Sequence, residues 1–191
     1  MHYTQPTILA PFAPLDTPRL GLVGLTFEHA PSIFAFSSDP KVSRLVGRPH
    51  HENVDETRRY IARALVGYAR GGHYEWGVVR RADQAFLGIC GFAEIDKTTG
   101  MGDLYYVLAK AYWGQGYATE AAAAVMQFGF TRLRLRLIEA QAFTDNTASL
   151  RVLTKLGLRF HENSQLDEPP GPARPVSIWR IERPFMNGEL R

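Results

Sequence analysis

Between a strand-like run and an alanine-rich run, the sequence reads Tyr112-Trp113-Gly114-Gln115-Gly116-Tyr117-Ala118-Thr119-Glu120-Ala121. Glycine lets a backbone approach an anion closely, because it has no Cβ. The first turn of a helix adds unpaired N–H groups and the positive end of the helix dipole. The stretch therefore predicts a phosphate-binding loop that opens into a helix over about residues 117–133.

Length and composition favour one domain. The chain has 191 residues, 45% of them hydrophobic, which is typical of a single α/β domain with a substantial core. We place that domain at residues 15–186, after an extended arm over residues 1–14 that carries Pro6, Pro11 and Pro14. No apolar run approaches the roughly 18 to 20 residues that cross a bilayer, and the first residues do not resemble a secretion signal. We therefore expect a cytoplasmic protein with no membrane partner.

Charge, cysteine content and histidine spacing limit the partners and metals that the sequence predicts. The net charge is +3, but the basic residues are scattered apart from one cluster at residues 132–136, so we expect no nucleic-acid partner. The single cysteine, Cys90, lies in an apolar run and is expected to be a small buried hydrophobe. No cluster has metal-ligand spacing, and the His50-His51 pair is expected at the surface of a loop, so no metal is predicted.

Periodicity gives a coarse order of elements. Apolar alternation predicts strands over about residues 19–27, 73–80, 85–95, 101–108, 137–143, 158–161 and 176–182. Helical spacing predicts helices over about residues 28–36, 55–70, 117–133 and 147–156. Short polar turns between the second, third and fourth strands indicate an antiparallel meander. Gly157 is expected to end the last helix in a left-handed conformation, with Leu158 folding back towards Leu153.

The glycine loop differs from two common phosphate loops. A nucleoside-triphosphate loop has a lysine and then serine or threonine after its last glycine, whereas this chain has Tyr117-Ala118. A dinucleotide loop has a third glycine, and position 119 is threonine. The remaining interpretation is a loop whose backbone N–H groups bind a pyrophosphate without lysine or metal.

A second segment, Asp145 to Leu158, supports this interpretation independently. Taken with the glycine loop, with Thr17-Pro18-Arg19-Leu20 and with the strand Asp103-Leu104-Tyr105-Tyr106-Val107-Leu108, it resembles the GCN5-related N-acetyltransferases over about residues 16–183. The branch it resembles is that of the ribosomal-protein acetyltransferases RimJ and RimL. The resemblance implies a mixed, mostly antiparallel α/β sheet of about six to seven strands flanked by helices, with a splay between the fourth and fifth strands.

The resemblance also implies a reaction and a set of binding groups. An acetyl group would pass from the co-substrate acetyl-coenzyme A to a primary amine, on a protein N-terminus or a small molecule, by direct attack on the thioester. The pyrophosphate would lie on the backbone of five loop residues, Gln115, Gly116, Tyr117, Ala118 and Thr119. A backbone N–H near Leu108 would polarise the thioester carbonyl. Asn146 would cap the following helix and bond the pantetheine arm.

Acetyl transfer to an amine requires one side chain that accepts the amine proton and another that donates a proton to the leaving thiolate. Ser149 shares the apolar face of its helix with Val152 and Leu153, and in the resembling branch it lies beside the coenzyme A sulfur, where it would protonate or stabilise the thiolate. The alternative is a hydroxyl bonded to a carbonyl one turn earlier. Asp103 and Glu94 are the nearest candidates for the base, and the alternative for Asp103 is a solvated carboxylate beside a turn.

Departures from the family pattern leave function and acceptor open. Tyr105 stands where the family strand often has glycine, so the competing function is a non-catalytic coenzyme A-binding module with a blocked acceptor site. Six basic residues in the predicted helical region suggest an acceptor with some negative charge: Arg44, Arg48, His50, His51, Arg58 and Arg59. The sequence leaves both a monomer and a homodimer open.

Overall fold

The computed structural model describes residues 14–47, 50–167 and 172–183, so residues 1–13 of the predicted arm lie outside the described residues. Within these residues the chain forms eight strands: β1 Leu15–Asp16, β2 Leu20–Gly24, β3 Tyr74–Arg80, β4 Phe86–Asp96, β5 Met101–Leu108, β6 Leu137–Phe143, β7 Arg159–Leu166 and β8 Arg174–Glu182. Five α-helices accompany them: α1 Ala30–Ser37, α2 Pro40–Val46, α3 Val54–Arg70, α4 Tyr117–Thr131 and α5 Thr147–Lys155.

The strands form one mixed sheet in the order β1-β2-β3-β4-β5-β6-β8-β7. Every neighbouring pair is antiparallel except β5 and β6. These two pair only from Met101–Asp103 to Leu137–Glu139, and beyond Asp103 they diverge. The predicted fold class and splay are therefore confirmed, but the sheet has eight strands rather than six or seven, because the two-residue β1 has no alternation to detect.

Side chains on β5 alternate between two faces. The even-numbered residues face α4 and α5, since the Tyr106 hydroxyl reaches Ser149 of α5. The odd-numbered residues face α2 and α3, and the Tyr105 ring lies 6.5 Å from that of His73, between centroids. These two sides of the sheet are called the α5 face and the α2 face below.

Small residues let α4 lie close to the sheet. Ala121 and Ala122 are fully buried, and a Cβ added at Gly129 would lie 2.7 Å from the Phe92 ring. The absence of larger side chains at these positions allows close packing of α4 on the sheet. This packing fixes the position of the glycine loop at the N-terminus of α4.

The predicted single helix over residues 28–36 is wrong in detail. A 3₁₀ turn over Phe27–His29 leads into α1, and a second helix, α2, follows. The Asp39 side chain caps α2 by accepting from the Lys41 N–H at 2.8 Å, and Pro40 occupies the first turn. A proline that follows a capping residue can end one helix and begin the next, so Asp39-Pro40 marks both the end of α1 and the start of α2.

The end of α5 follows the prediction closely. Gly157 has φ +83°, the Leu158 N–H donates to the Leu153 carbonyl at 3.1 Å, and the Gly157 N–H donates to the Thr154 carbonyl at 3.0 Å. This is a Schellman cap, and the burial of Leu158 beside Leu153 completes it. Among the helices that the structure describes, none is long and apolar enough to cross a bilayer.

Candidate active site

A cavity of about 670 Å³ occupies the region where β5 and β6 diverge. Its walls come from both faces of the sheet: the glycine loop and α5 on one side, and α2 on the other, with β5 and β6 between them. Diverging strands leave backbone N–H and C=O groups without a ladder partner, so the opening suits an extended ligand that pairs with a strand.

The glycine loop is shaped by two positive φ angles. Gly114 has φ +73° and Gly116 has φ +82°, where Gly116 is the N-cap of α4. A Cβ added at Gly114 would meet nothing within 4 Å, so the loop leaves open space in front of its backbone. Tyr117, Ala118 and Thr119, in the first turn of α4, line the cavity. The first N–H groups of a helix have no intrahelical acceptor, and this cradle fits a phosphate group.

A network with Glu120 at its centre holds the loop against β2. The Glu120 carboxylate accepts from Thr17 Oγ1 at 2.6 Å, from the Arg19 N–H at 2.9 Å and from Arg19 Nε at 2.6 Å. Arg19 also donates to the Gln115 carbonyl at 3.1 Å and lies over the Tyr117 ring. Arg19 and Glu120 lie 101 residues apart, and no local sequence pattern relates positions at that distance.

This network makes stability depend on pH. Burial alone raises the pKa of Glu120, but the hydrogen bonds from Thr17 and Arg19 outweigh it and hold the pKa below the ordinary value of 4.5. A depressed pKa stabilises the fold above the unfolded value, and this contribution is lost as the pH falls through the folded value. Glu120→Gln is therefore expected to lower the free energy of unfolding at pH 7, with a difference from wild type that shrinks below about pH 4.5.

Urea unfolding from pH 7 to pH 3 measures this dependence. Glu182→Gln, at an exposed position in β8, is the matched control and should follow wild type throughout. A difference for Glu120→Gln that stays constant down to pH 3 would contradict the assignment, because the carboxylate charge would then not matter.

Ser149 and Tyr106 meet across the splay. The Tyr106 hydroxyl lies 2.8 Å from Ser149 Oγ and 3.3 Å from the Ser149 carbonyl. Burial raises the pKa of Tyr106, although the hydrogen bond from Ser149 acts in the opposite direction. The phenol therefore keeps its proton at neutral pH. Ser149 lines the cavity, so a proton is held at the point where the two strands separate.

Asn146 connects the two sides of the cavity. Its Oδ1 accepts from the Ser149 N–H at 3.1 Å, which confirms the predicted N-cap of α5. Its Nδ2 donates to the Leu45 carbonyl at 3.4 Å, at the end of α2. The same side chain therefore fixes the start of α5 and its distance from α2.

Leu108 turns a backbone N–H towards the splay. The Ala109 N–H donates to the Leu87 carbonyl at 2.9 Å, so Leu108 and Gly88 are a non-hydrogen-bonded pair of the antiparallel β4–β5 ladder. The Leu108 N–H therefore points away from β4, towards the side where β6 diverges. The Leu108 carbonyl accepts from Trp113 Nε1 at 2.7 Å, and this bond joins the end of β5 to the glycine loop.

Comparison with known proteins identifies the family. Residues 19–159 match the model of the acetyltransferase (GNAT) domain. The chain belongs to the GNAT acetyltransferase family. The uncharacterized N-acetyltransferase YoaA of Bacillus subtilis (strain 168) is 32% identical over 148 residues, which cover 78% of this chain and 84% of that relative. This acetyltransferase therefore uses acetyl-coenzyme A to acetylate an amine.

Solved structures agree on the fold. A GNAT acetyltransferase from Bacillus anthracis superposes with a TM-score of 0.80 at 20% identity and covers 90% of this chain and 99% of its own. The ribosomal-protein-S5-alanine acetyltransferase of Vibrio fischeri superposes with a TM-score of 0.79 at 14% identity, covering 90% and 97%. At identities this low, the similarity shows a shared fold and says nothing about which acceptor this acetyltransferase uses.

The two predicted bases lie in different environments. Asp103 lines the cavity on the α2 face and is the last residue of β5 that still pairs with β6, opposite Glu139. Glu94 is exposed on an irregular part of β4 and is not among the residues that line the cavity. The structure therefore brings Asp103 to the site of this acetyltransferase and leaves Glu94 outside it. In the described part of the chain, no three metal-binding side chains cluster.

The described basic residues that suggested an acidic acceptor do not line the cavity. Arg48 lies outside the described residues, and the other five do not line the cavity walls. Three of them pair with carboxylates: Arg44 with Asp145, Arg58 with Asp55 and Arg59 with Glu56. His51 bonds to Ser37 and Thr57 instead. On this side the acetyltransferase cavity is lined by Val42, Leu45 and Val46 of α2.

Proposed function

We propose that this acetyltransferase transfers the acetyl group to a primary amine by direct attack, and that it belongs to the RimJ/RimL-like branch. The observation that carries the proposal is the Tyr106–Ser149 contact beside the cradle of the glycine loop. Acetyl-coenzyme A supplies the activated acetyl group and a thiolate leaving group. Direct transfer needs one group that removes a proton from the amine and another that returns a proton to the sulfur.

The binding residues are backbone groups. The N–H groups of Gln115, Gly116, Tyr117, Ala118 and Thr119 hold the pyrophosphate, and the positive end of α4 adds to this attraction. The Leu108 N–H, directed into the splay, stabilises negative charge on the acetyl oxygen. Asn146 orients the pantetheine arm from its position between α5 and α2.

The proton-transfer residues lie on opposite faces of the sheet. On the α2 face, Asp103 accepts the proton of the attacking amine at its carboxylate. On the α5 face, Ser149 gives the proton of Oγ to the departing sulfur and recovers one from the Tyr106 hydroxyl at 2.8 Å. One proton is taken and one is given, so the net charge of the site is unchanged, but Asp103 is left protonated and Tyr106 deprotonated. Proton exchange with solvent then restores both side chains before the next turnover.

A non-catalytic coenzyme A-binding module requires Tyr105 to block the acceptor side. Tyr105 lines the cavity wall together with Val42, Leu45 and Val46 of α2, so the open space reaches the α2 face. The catalytic function is therefore preferred. The proposal also includes a single domain over residues 15–186, a cytoplasmic location, a monomer or homodimer, and no nucleic-acid, membrane or metal partner.

A thiol-release assay with acetyl-coenzyme A tests the function, with coenzyme binding followed by calorimetry. Release that depends on a primary amine, from an N-terminal peptide or a small molecule, would support the proposal. Micromolar binding without release for any amine would overturn it in favour of the binding module.

A further inference from the structure

A buried carboxylate lies on the α2 face, outside the chemistry described above. Glu75 of β3 is fully buried. Its carboxylate accepts from the Tyr60 hydroxyl of α3 and lies 2.9 Å from His73 Nε2. His73 Nδ1 lies 3.1 Å from the Ala93 carbonyl. We call Tyr60, His73 and Glu75 the Glu75 network.

The protonation of this network follows from its partners. A carbonyl oxygen only accepts, so His73 Nδ1 carries a hydrogen. A second hydrogen must then lie between His73 Nε2 and Glu75, whichever of the two holds it. The pair is neutral as a unit, and this satisfies a carboxylate that would otherwise be costly to bury.

Tyr105 packs against the Glu75 network. The Tyr105 ring lines the cavity, whereas its hydroxyl is buried and interacts with Glu75 and Tyr60. Burial, then the charge of Glu75, raises the pKa of Tyr105 well above its usual value, so the phenol stays neutral. With its hydroxyl buried beside Glu75 and its ring at the cavity, Tyr105 forms part of the wall.

The other walls on this face are mostly apolar, with Gln141 of β6 as an uncharged polar residue among them. Val42, Leu45 and Val46 of α2 face Val107 and Phe143 across the cavity. A charged group on the body of an acceptor would lose its hydration here without gaining a partner of opposite charge from these walls. The ammonium of the acceptor itself has a partner, since Asp103 lies on the same face where the strands begin to separate.

We propose that the acceptor is a primary amine on a compact, uncharged, apolar body, and that Tyr105 sets the size of its pocket. The inference rests on the proposed acetyl transfer, and it replaces the acidic acceptor that the sequence suggested. The carrier of the amine is a small molecule or a peptide that begins with an apolar residue, because both present the same chemistry to the cavity.

Acceptor preference tests the proposal. The panel contains 2-phenylethylamine, a tetrapeptide with an apolar first residue, an acidic tetrapeptide and spermidine. One of the first two is expected to exceed both charged acceptors by at least about tenfold in kcat/KM, and which one does so identifies the source. Equal use of spermidine or of the acidic tetrapeptide would overturn the inference while leaving the acetyl transfer intact. Coenzyme binding without transfer to any amine would instead overturn the proposed function.

Tyr105→Gly tests the wall. The variant is expected to gain about tenfold in kcat/KM for 2-(1-naphthyl)ethylamine relative to 2-phenylethylamine, mainly through KM, with the Kd of coenzyme A unchanged. Tyr105→Leu, which leaves less empty space, should shift the preference in the same direction if Tyr105→Gly does not fold. Tyr105→Phe keeps the ring and should keep the wild-type order of acceptors.

Tyr74→Leu is the matched control, since the Tyr74 ring packs on Phe128 of α4, away from the acceptor side, at 5.9 Å between centroids. It should leave the order of acceptors unchanged. A folded Tyr105→Gly or Tyr105→Leu variant that binds coenzyme A and retains the wild-type size preference would overturn the role of Tyr105.

Discussion

Gly116→Val is expected to abolish measurable binding of acetyl-coenzyme A, and with it transfer to every amine. Gly116 has φ +82°, a conformation in which a β-branched residue is a strained outlier. The same residue is the N-cap of α4, so a valine would move the first N–H groups of the helix or place its methyl groups in front of them. The measurement is calorimetric titration with coenzyme A, where we expect at least about a hundredfold rise in Kd.

Gly21→Val separates loss of the cradle from a general effect of adding valine. A Cβ added at Gly21, in β2, would meet nothing within 4 Å, and valine is favourable in strands. This control should bind coenzyme A as wild type does. A folded Gly116→Val variant with a normal Kd would mean that the backbone of the loop does not hold the pyrophosphate.

Those parts of the site that depend on local signals were predictable from the sequence. Glycines before an alanine-rich run predicted the start of α4, and Gly157 predicted the cap of α5, because each signal acts within a few residues. The splay between β5 and β6 came from the family resemblance, since no local pattern in either strand shows that their pairing ends at Asp103. Side chains alternate along any strand, which is why Asp103 and Tyr106 lie on opposite faces of the sheet.

Contacts between distant positions were not predictable. Glu120 meets Thr17 across 103 residues, and Tyr106 meets Ser149 across 43. The sequence around a polar residue such as Glu75 does not show whether its side chain is buried in a hydrogen-bonded network or exposed to solvent. The acidic acceptor inferred from charge has no support at the cavity for the same reason. Composition shows that arginines are present in α2 and α3, but not which way their side chains point.

Ser149→Ala is expected to lower kcat by about 10- to 1,000-fold, with little change in the Kd of coenzyme A, because its hydroxyl acts on the leaving group and not on the bound pyrophosphate. Tyr106→Phe should cause a loss of similar size, since it removes the hydroxyl 2.8 Å from Ser149 Oγ. If the two hydroxyls pass one proton, the double variant should be little worse than the more damaging single variant.

Additive losses in this cycle would contradict the relay, because two groups that act independently contribute separate factors. Thr154→Ala is the matched control: it lies in the same helix, and its hydroxyl donates to the Leu150 carbonyl at 2.9 Å. It should leave kcat unchanged. Because burial raises the pKa of Tyr106, the relay keeps its proton across the neutral range, so the loss in Ser149→Ala should be the same at pH 7 and pH 8.5. A loss that disappears at the higher pH would contradict the relay, because the thiolate would then leave without a proton from Ser149.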